Sequence, residues 1–522
     1  MSRRQLLGML ALGIGMAVLA AIWVRSPGYL DADYYFATGR VLASGGGLRV
    51  PFLWNYLASG HLDLPQPALL YWMPLTSLLS AASLAVFGPS FLAGQLPSLA
   101  FTASLPVFTA WIAQRLGARP GQSMMAGGLA GFSGFYLPFF VTTDAFSSFA
   151  VIGGGALWFM AAARARDSKA WLLLGVLSGL GHLARADGLL LVVMAVVIWG
   201  LTRPRRLLNL AALGGGYLAV MGGWFLRMWQ VAGGPLSPGG LKAAWLTNYN
   251  QLFSYPADGL TTAHWIESGM ASIVRVRLAA LGVNFGSLLL VNGLVFLTLL
   301  MALGLWRLRR TRAARITAAY LVIELAAMSI VFPFPGQRGG FFHSAAAAMP
   351  LLWAICPIGL DVVVAWLYRR WHWDPAEASR RLGAGAVLIA AAATLFLLAT
   401  RQVLPARQGQ GWGQATASYV GAAALGSGAN PQDVVAANNP PAFWLASGHP
   451  SVVIPNGDPR ALAGVVRDFG VKWVVLERNH PPGLNDLYDH PSSLPWLSVV
   501  WSSKDAYGNP VYVLGVTEMP GP

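Results

Sequence analysis

Apolar runs long enough to cross a bilayer alternate with short polar joints throughout residues 1–404, and those joints are of two kinds. One kind is basic: Arg3/Arg4, Arg115/Arg119, Arg164/Arg166/Lys169, Arg203/Arg205/Arg206, Arg307 to Arg315, and Arg369/Arg370 with Arg380/Arg381. The other is poor in Lys and Arg and carries carboxylates, His and aromatic residues. Cytoplasmic loops of membrane proteins collect Lys and Arg. Taking the basic joints as inside predicts helices near 6–24, 91–114, 121–141, 145–163, 170–183, 187–202, 207–229, 281–305, 316–335, 345–367 and 382–400. About eleven crossings leave the N-terminus inside and everything after residue 404 outside. The apolar segment 68–87 does not fit as a crossing, because it would turn Arg115 and Arg119 outward and invert every later joint. It reads as a juxtamembrane or re-entrant helix, a form tolerated where protein or an aqueous cavity satisfies the backbone.

Past residue 405 the pattern changes. The chain becomes polar and rich in Pro, Asn and Gly, with short β-branched runs at Val434, Val452, Val471, Leu497 and Val511. Helical stretches such as Pro459 to Phe469 separate some of these runs. Strands alternating with helices predict a small α/β domain with a mainly parallel sheet. The expected organisation is therefore a polytopic α-helical membrane part, 1–404, with a first external loop at 25–90, followed by an extracytoplasmic α/β domain, 405–522.

Composition agrees with this division. Of 522 residues, 56% are hydrophobic and 11% charged, against roughly 25% charged in soluble domains. The net charge of +15 would suit nucleic acid, but more than half of the 35 Lys and Arg lie in the basic joints. The charge reports topology, and nucleic acid is not an expected partner. A lone cysteine, Cys356, excludes a disulfide framework within the chain. The first apolar run follows Arg3/Arg4 and exceeds a signal-peptide core in length, so it reads as an uncleaved first helix, with cleavage at the Val18-Leu-Ala-Ala21 segment as the alternative.

Candidate chemistry collects on the predicted external side. Asp31 and Asp33 stand in Gly28-Tyr-Leu-Asp-Ala-Asp-Tyr-Tyr-Phe36, just beyond the first crossing, with His61 and Asp63 later in that loop. The chain re-enters the apolar phase through Leu64-Pro-Gln-Pro-Ala-Leu-Leu-Tyr-Trp-Met-Pro74, which contains Tyr71 and Trp72. Asp144 lies at a helix junction, either as a second acid or as an N-cap. Arg185 and Asp187 form either an ion pair or part of a site. Arg227, Arg338 and His343 complete the set, and Glu324 is a carboxylate deep in an apolar run. Intramembrane carboxylates mark function or pairing. The inside loops are too short to hold a catalytic unit.

In their order along the chain, these features resemble the GT-C superfamily of membrane glycosyltransferases, in the branch of protein O-mannosyltransferases and aminoarabinose transferases. The resemblance rests on Asp31-Ala-Asp-Tyr-Tyr, Gly45-Gly-Gly, Pro65-Gln-Pro67 with Tyr71-Trp72, Val86-Phe-Gly88 and Thr143-Asp144. Further along it includes Gly179-Leu-Gly-His-Leu-Ala-Arg-Ala-Asp-Gly188, Trp224-Phe-Leu-Arg227 with Gly234-Pro235, and Arg338. Two departures stand out: Asp-Ala-Asp replaces the adjacent Asp-Glu of many relatives, and Pro-Gln-Pro replaces Lys-Pro-Pro.

The resemblance implies an integral plasma-membrane enzyme that moves a sugar, with inversion, from a polyprenyl-phosphate donor to a hydroxyl of a protein, lipid or glycan acceptor. Asp31 or Asp33 would be the general base, Asp31 aligning better with the family's acidic position. Arg338, Arg185, Arg227 and His343 would contact the donor phosphate, since Arg presents a planar fork to phosphate. Asp144, His61, Tyr71 and Trp72 would contact substrate. Asp-x-Asp also suits Mg²⁺ or Mn²⁺, although several relatives need no metal. Alternatives are a lipid-linked-sugar flippase or other transporter, and an inactive scaffold of the same fold. A transporter would place polar groups near the bilayer midplane; here only Glu324 lies deep.

Overall fold

The computed structural model of the chain describes residues 1–58, 63–204, 206–424 and 430–520. Among them, seven helices are long and apolar enough to cross a membrane: Arg3–Ala21, Phe91–Arg115, Leu207–Ala232, Met270–Asn292, Arg312–Val331, Pro333–Trp371 and Pro375–Arg407. Four shorter apolar helices accompany them, Leu75–Phe87, Phe146–Ala162, Ala186–Leu201 and Phe296–Arg307. Large apolar side chains such as Leu7, Val18, Leu218, Leu226, Val322 and Phe396 face outward on these helices. Against lipid tails such faces carry no solvation penalty. The protein is a multi-pass membrane protein. Where helices Ser168–Ala184 and Leu207–Ala232 cross, glycines let the backbones meet: a Cβ on Gly175 would lie 2.1 Å from the Leu213 carbonyl oxygen.

The basic joints are tied to one another at one end of the bundle. Arg119 donates to Asp361 at 2.8 Å, Arg312 to the carbonyl of Ala163 at 2.8 Å, and Asn209 to that of Ala165 at 2.9 Å. At the opposite end Thr142 and Thr143 donate to the carbonyls of Pro27 and Ala32. The segment 68–87 becomes Leu75–Phe87, whose 13 residues make a helix about 20 Å long at 1.5 Å per residue. That is shorter than a hydrocarbon core of about 30 Å. Ser77, Ser80 and Ser83 fasten it to the carbonyls of Tyr35, Gly94 and Ala93.

Two expected crossings differ in detail. The run 281–305 is not one helix: it starts at Met270 and breaks at Gly293–Val295, where Leu294 and Val295 have φ of 43° and 60°. Just before the break Asn292 is buried and donates to the Tyr136 hydroxyl at 2.7 Å. The run 121–141 divides into Pro120–Gly131 and Tyr136–Val141, and the Gly134 amide at the break donates to Thr394 Oγ1 at 2.9 Å.

The C-terminal region builds a six-stranded sheet in the spatial order Phe52–Leu53, Ser451–Val453, Val434–Ala437, Val471–Leu476, Pro510–Val516, Leu497–Lys504. The first four strands are parallel and the last two antiparallel. Helices Pro440–Ser447 and Pro459–Phe469 begin on the capping side chains of Asn439 and Asp458 and end at Gly448 and Gly470 in left-handed conformation. The edge strand comes from the first loop, nearly four hundred residues away in sequence, with Phe52 opposite Ser451. The loop is therefore built into the C-terminal sheet.

Candidate active site

Helix Leu30–Ala43 carries both first-loop carboxylates in its first turn, where negative charge favours the helix dipole. Residues two apart on an α-helix point about 200° apart. The two carboxylates accordingly diverge. Asp31 lines the large cavity, whereas Asp33 does not and is 3% exposed. Asp33 instead accepts a bond from Asn439 Nδ2 at 2.9 Å. The Asp-x-Asp pair thus offers no joint metal site. That expectation assumes an extended loop; the segment is helical.

Asp31 converges with residues far away in sequence. Its carboxylate, that of Asp144 and the His343 ring place ligand atoms within 4.8 Å of one another. Asp144 is 2% exposed and accepts from the Tyr29 hydroxyl at 2.6 Å, His343 Nε2 at 2.9 Å and the Ala145 amide at 2.5 Å. It does not cap the following helix, which has no side-chain cap. His343 also places Nδ1 2.9 Å from the Gly339 carbonyl and stacks on Phe146 at 3.7 Å. Both ring nitrogens thus lie within hydrogen-bond distance of an oxygen. Burial and the Asp144 charge push Asp31 up to about 6, against the pull of His343 and Arg185. Burial also opposes charge on Asp144, but His343 and its hydrogen bonds hold it below the usual carboxylate range.

The cavity has a volume of about 460 Å³ and mostly apolar walls. Asp31, Tyr71, Trp72, Arg185, Arg338 and His343 line it. Trp54 stacks on Trp72 at 4.1 Å, with Tyr71 edge-on to Trp54 at 4.9 Å. Arg185 ends helix Ser168–Ala184 and pairs with Asp187 at 2.9 Å; Asp187 also accepts from Ser344. Arg338 sits at a kink, next to Gly339 with φ 105°, a conformation costly for any side chain. Its guanidinium lies 4.7 Å from the Tyr249 ring centre. Among the described residues, Arg338 is the cavity arginine without a carboxylate partner.

Other expected site residues lie elsewhere. Arg227 does not line the cavity; it donates to the carbonyls of Leu48 at 3.2 Å and Ala68 at 2.7 Å, holding the first loop in place. His61 lies outside the described residues. Glu324 is fully buried, within electrostatic reach of Asp187 and Arg185. Tyr29, Trp54, Tyr249 and Asn439 are not among the expected site residues. An aromatic residue flanking the acidic motif signals Tyr29; nothing in the sequence signals Asn439.

No protein-family model matches the chain, and no curated protein sequence matches it. Its structure nevertheless resembles solved membrane glycosyltransferases. ArnT from Cupriavidus metallidurans, in a crystal structure bound to undecaprenyl phosphate, matches with a TM-score of 0.56 at 15% identity, over 99% of each chain. The archaeal oligosaccharyltransferase AglB from Archaeoglobus fulgidus, in complex with an inhibitory peptide and a dolichol-phosphate, matches with a TM-score of 0.52 at 12% identity, over 91% of this chain and 70% of that one. The arabinofuranosyltransferase AftD from Mycobacteria matches with a TM-score of 0.51 at 15% identity, over 99% of this chain and 40% of that one. The chain has the GT-C fold.

Proposed function

We propose that this protein is an integral-membrane glycosyltransferase that moves a sugar from a polyprenyl-phosphate donor to an acceptor hydroxyl at the extracytoplasmic face. The observation that carries this reading is the pairing, in one apolar cavity, of the partly buried carboxylate Asp31 with the arginine lacking a carboxylate partner, Arg338. The fold supports it: relatives in that fold were solved with undecaprenyl phosphate and with a dolichol-phosphate.

The chemistry follows from the two groups. The acceptor oxygen attacks the anomeric carbon while its proton passes to Asp31, a positioned base. The bond from that carbon to the phosphate oxygen breaks, and the electron pair leaves with the polyprenyl phosphate. The charge appearing on the phosphate is met by Arg338, whose fork suits its oxygens. Attack opposite the leaving group inverts the centre. The Arg185–Asp187 pair, already compensated, lines the same cavity. Tyr71 and Trp72, with Trp54, give the flat aromatic surface against which a sugar ring packs.

Asp31, Asp144 and His343 would also hold a divalent cation: two carboxylates and an imidazole form a donor set suited to Mn²⁺ more than Mg²⁺. When bound, such an ion would add positive charge beside the leaving phosphate. Polar groups gathered at one end of the bundle favour surface chemistry over transport, which calls for a site at the midplane.

The test is Asp31→Asn. The variant keeps its size and hydrogen-bonding capacity, so it should still bind the lipid-linked sugar but transfer it about 10²–10⁴-fold more slowly. Transfer at the wild-type rate would rule out Asp31 as the base.

A further inference from the structure

Asp33 presents a problem that the transfer reaction does not solve. It is a buried carboxylate turned away from the cavity, and its Oδ1 has no hydrogen-bond partner. Leaving a buried polar atom unpaired opposes folding, the more so for a charged group. The contact is therefore a poor stabilising device in its own right. What it supplies is orientation.

We infer that Asn439, in the C-terminal α/β region, is a positioning residue for sugar transfer, fixing the rotation of helix Leu30–Ala43 through Asp33 so that Asp31 faces the cavity. The role in transfer rests on the function proposed above; the role in fixing the helix does not.

Asn439 is itself held in a single orientation. Its Oδ1 accepts from the Ala442 amide at 3.2 Å as the N-cap of helix Pro440–Ser447, which leaves Nδ2 pointing at Asp33. Flipping the amide would lose the cap and set an oxygen against the carboxylate. Behind it, the Asn439 backbone N–H donates to the Tyr419 hydroxyl at 3.3 Å, and Tyr419 donates to Glu477 at 3.0 Å. Tyr419 is fully buried, and burial pushes Glu477 up to about 6 and Asp33 up to about 7. A continuous line of polar contacts thus runs from the C-terminal sheet to the first turn of the catalytic helix.

A further contact holds the same face of the helix two turns further on. The Arg40 guanidinium lies 5.6 Å from the Trp444 ring on helix Pro440–Ser447, and Trp444 packs on Phe52 at 5.6 Å. Phe52 belongs to the loop strand built into the C-terminal sheet, where Ser451 donates to the Pro51 carbonyl at 2.9 Å. One residue of helical phase is about 100° of rotation. A turn of that size would carry Asp31 out of the cavity, and the Asp33–Asn439 bond lies in the same helical turn as Asp31, where such a rotation would break it.

Asn439→Ser tests the inference. Serine caps a helix about as well as asparagine but is too short to reach Asp33. The turnover number should fall about tenfold, roughly 1.4 kcal/mol in the barrier, with the donor KM unchanged. Amide exchange across 30–43 should accelerate, while strand Val471–Leu476 keeps its protection. In an Asp33→Ala background the same serine substitution should add little, as expected when two residues act through one contact. Unchanged exchange in helix Leu30–Ala43, or losses that simply add in the double variant, would overturn the inference. Absence of transfer in the wild-type protein would defeat the proposed function, leaving the exchange experiment to decide the positioning role.

Discussion

The two ends of the helical bundle use the same ion pairs in opposite ways. At the basic end Arg119 meets Asp361 at 2.8 Å with side chains 62% and 43% exposed. At the cavity end Arg185 meets Asp187 at 2.9 Å with side chains 16% and 9% exposed. An exposed pair is screened and contributes about 0–1 kcal/mol. A buried pair must repay its desolvation by geometry, and removing one partner costs about 3–5 kcal/mol. Charge at the basic end tolerates loose placement. At the cavity end two carboxylates are held by named neighbours: Asp144 by Tyr29, His343 and the Ala145 amide, and Asp187 by Arg185 and Ser344. Positions that hold charge at such cost are where chemistry is to be sought.

The contrast can be broken by substitution. Beyond the loss of transfer expected of Asp31→Asn, the largest effect should come from Arg338→Ala, which removes one charge-assisted contact and should weaken donor binding by about 1.5–3 kcal/mol. Arg338→Lys should restore only part, because the fork is lost. Donor affinity in detergent or nanodiscs reads both, and equal affinity for wild type and Ala would end the phosphate assignment.

A smaller effect is expected in the pH profile. Asp31 is pushed up to about 6 and acts ionised, so transfer should rise with pH through that value and level off above it. The Asp144 charge contributes to the upward push, so Asp144→Asn should move the rising limb to lower pH. A limb that stays put would disconnect the two carboxylates. The smallest effect belongs to the basic end: Asp361→Asn should change thermal stability by less than about 1 kcal/mol and leave transfer untouched.

Much of this architecture is legible in the sequence, for identifiable reasons. Basic joints and apolar runs are strong signals, and the short β-branched runs after residue 405 all form strands. Elements defined by contacts across the chain are not legible. The two-residue strand Phe52–Leu53 is too short to show periodicity, and it exists because Ser451–Val453 is there to pair with it. Asp31 and Arg338 are expected in the site and line the cavity. Asp33 is misplaced by sequence reasoning, which puts it in the same site, because a spacing of two changes meaning between an extended loop and a helix. The Asp144–His343 bond joins residues 199 apart, and Asn439 reaches Asp33 across 406. No local pattern announces either.

The central claim is that Asp31 carries transfer from a polyprenyl-phosphate donor bound by Arg338. Native mass spectrometry of the protein purified from its own membranes tests it whichever sugar the donor carries. The Asp31→Asn variant should retain the intact donor, seen as a polyprenyl phosphate plus one sugar residue, while the wild-type protein carries mainly the discharged polyprenyl phosphate. Finding no polyprenyl lipid on either protein, or the same discharged lipid on both, would contradict the account.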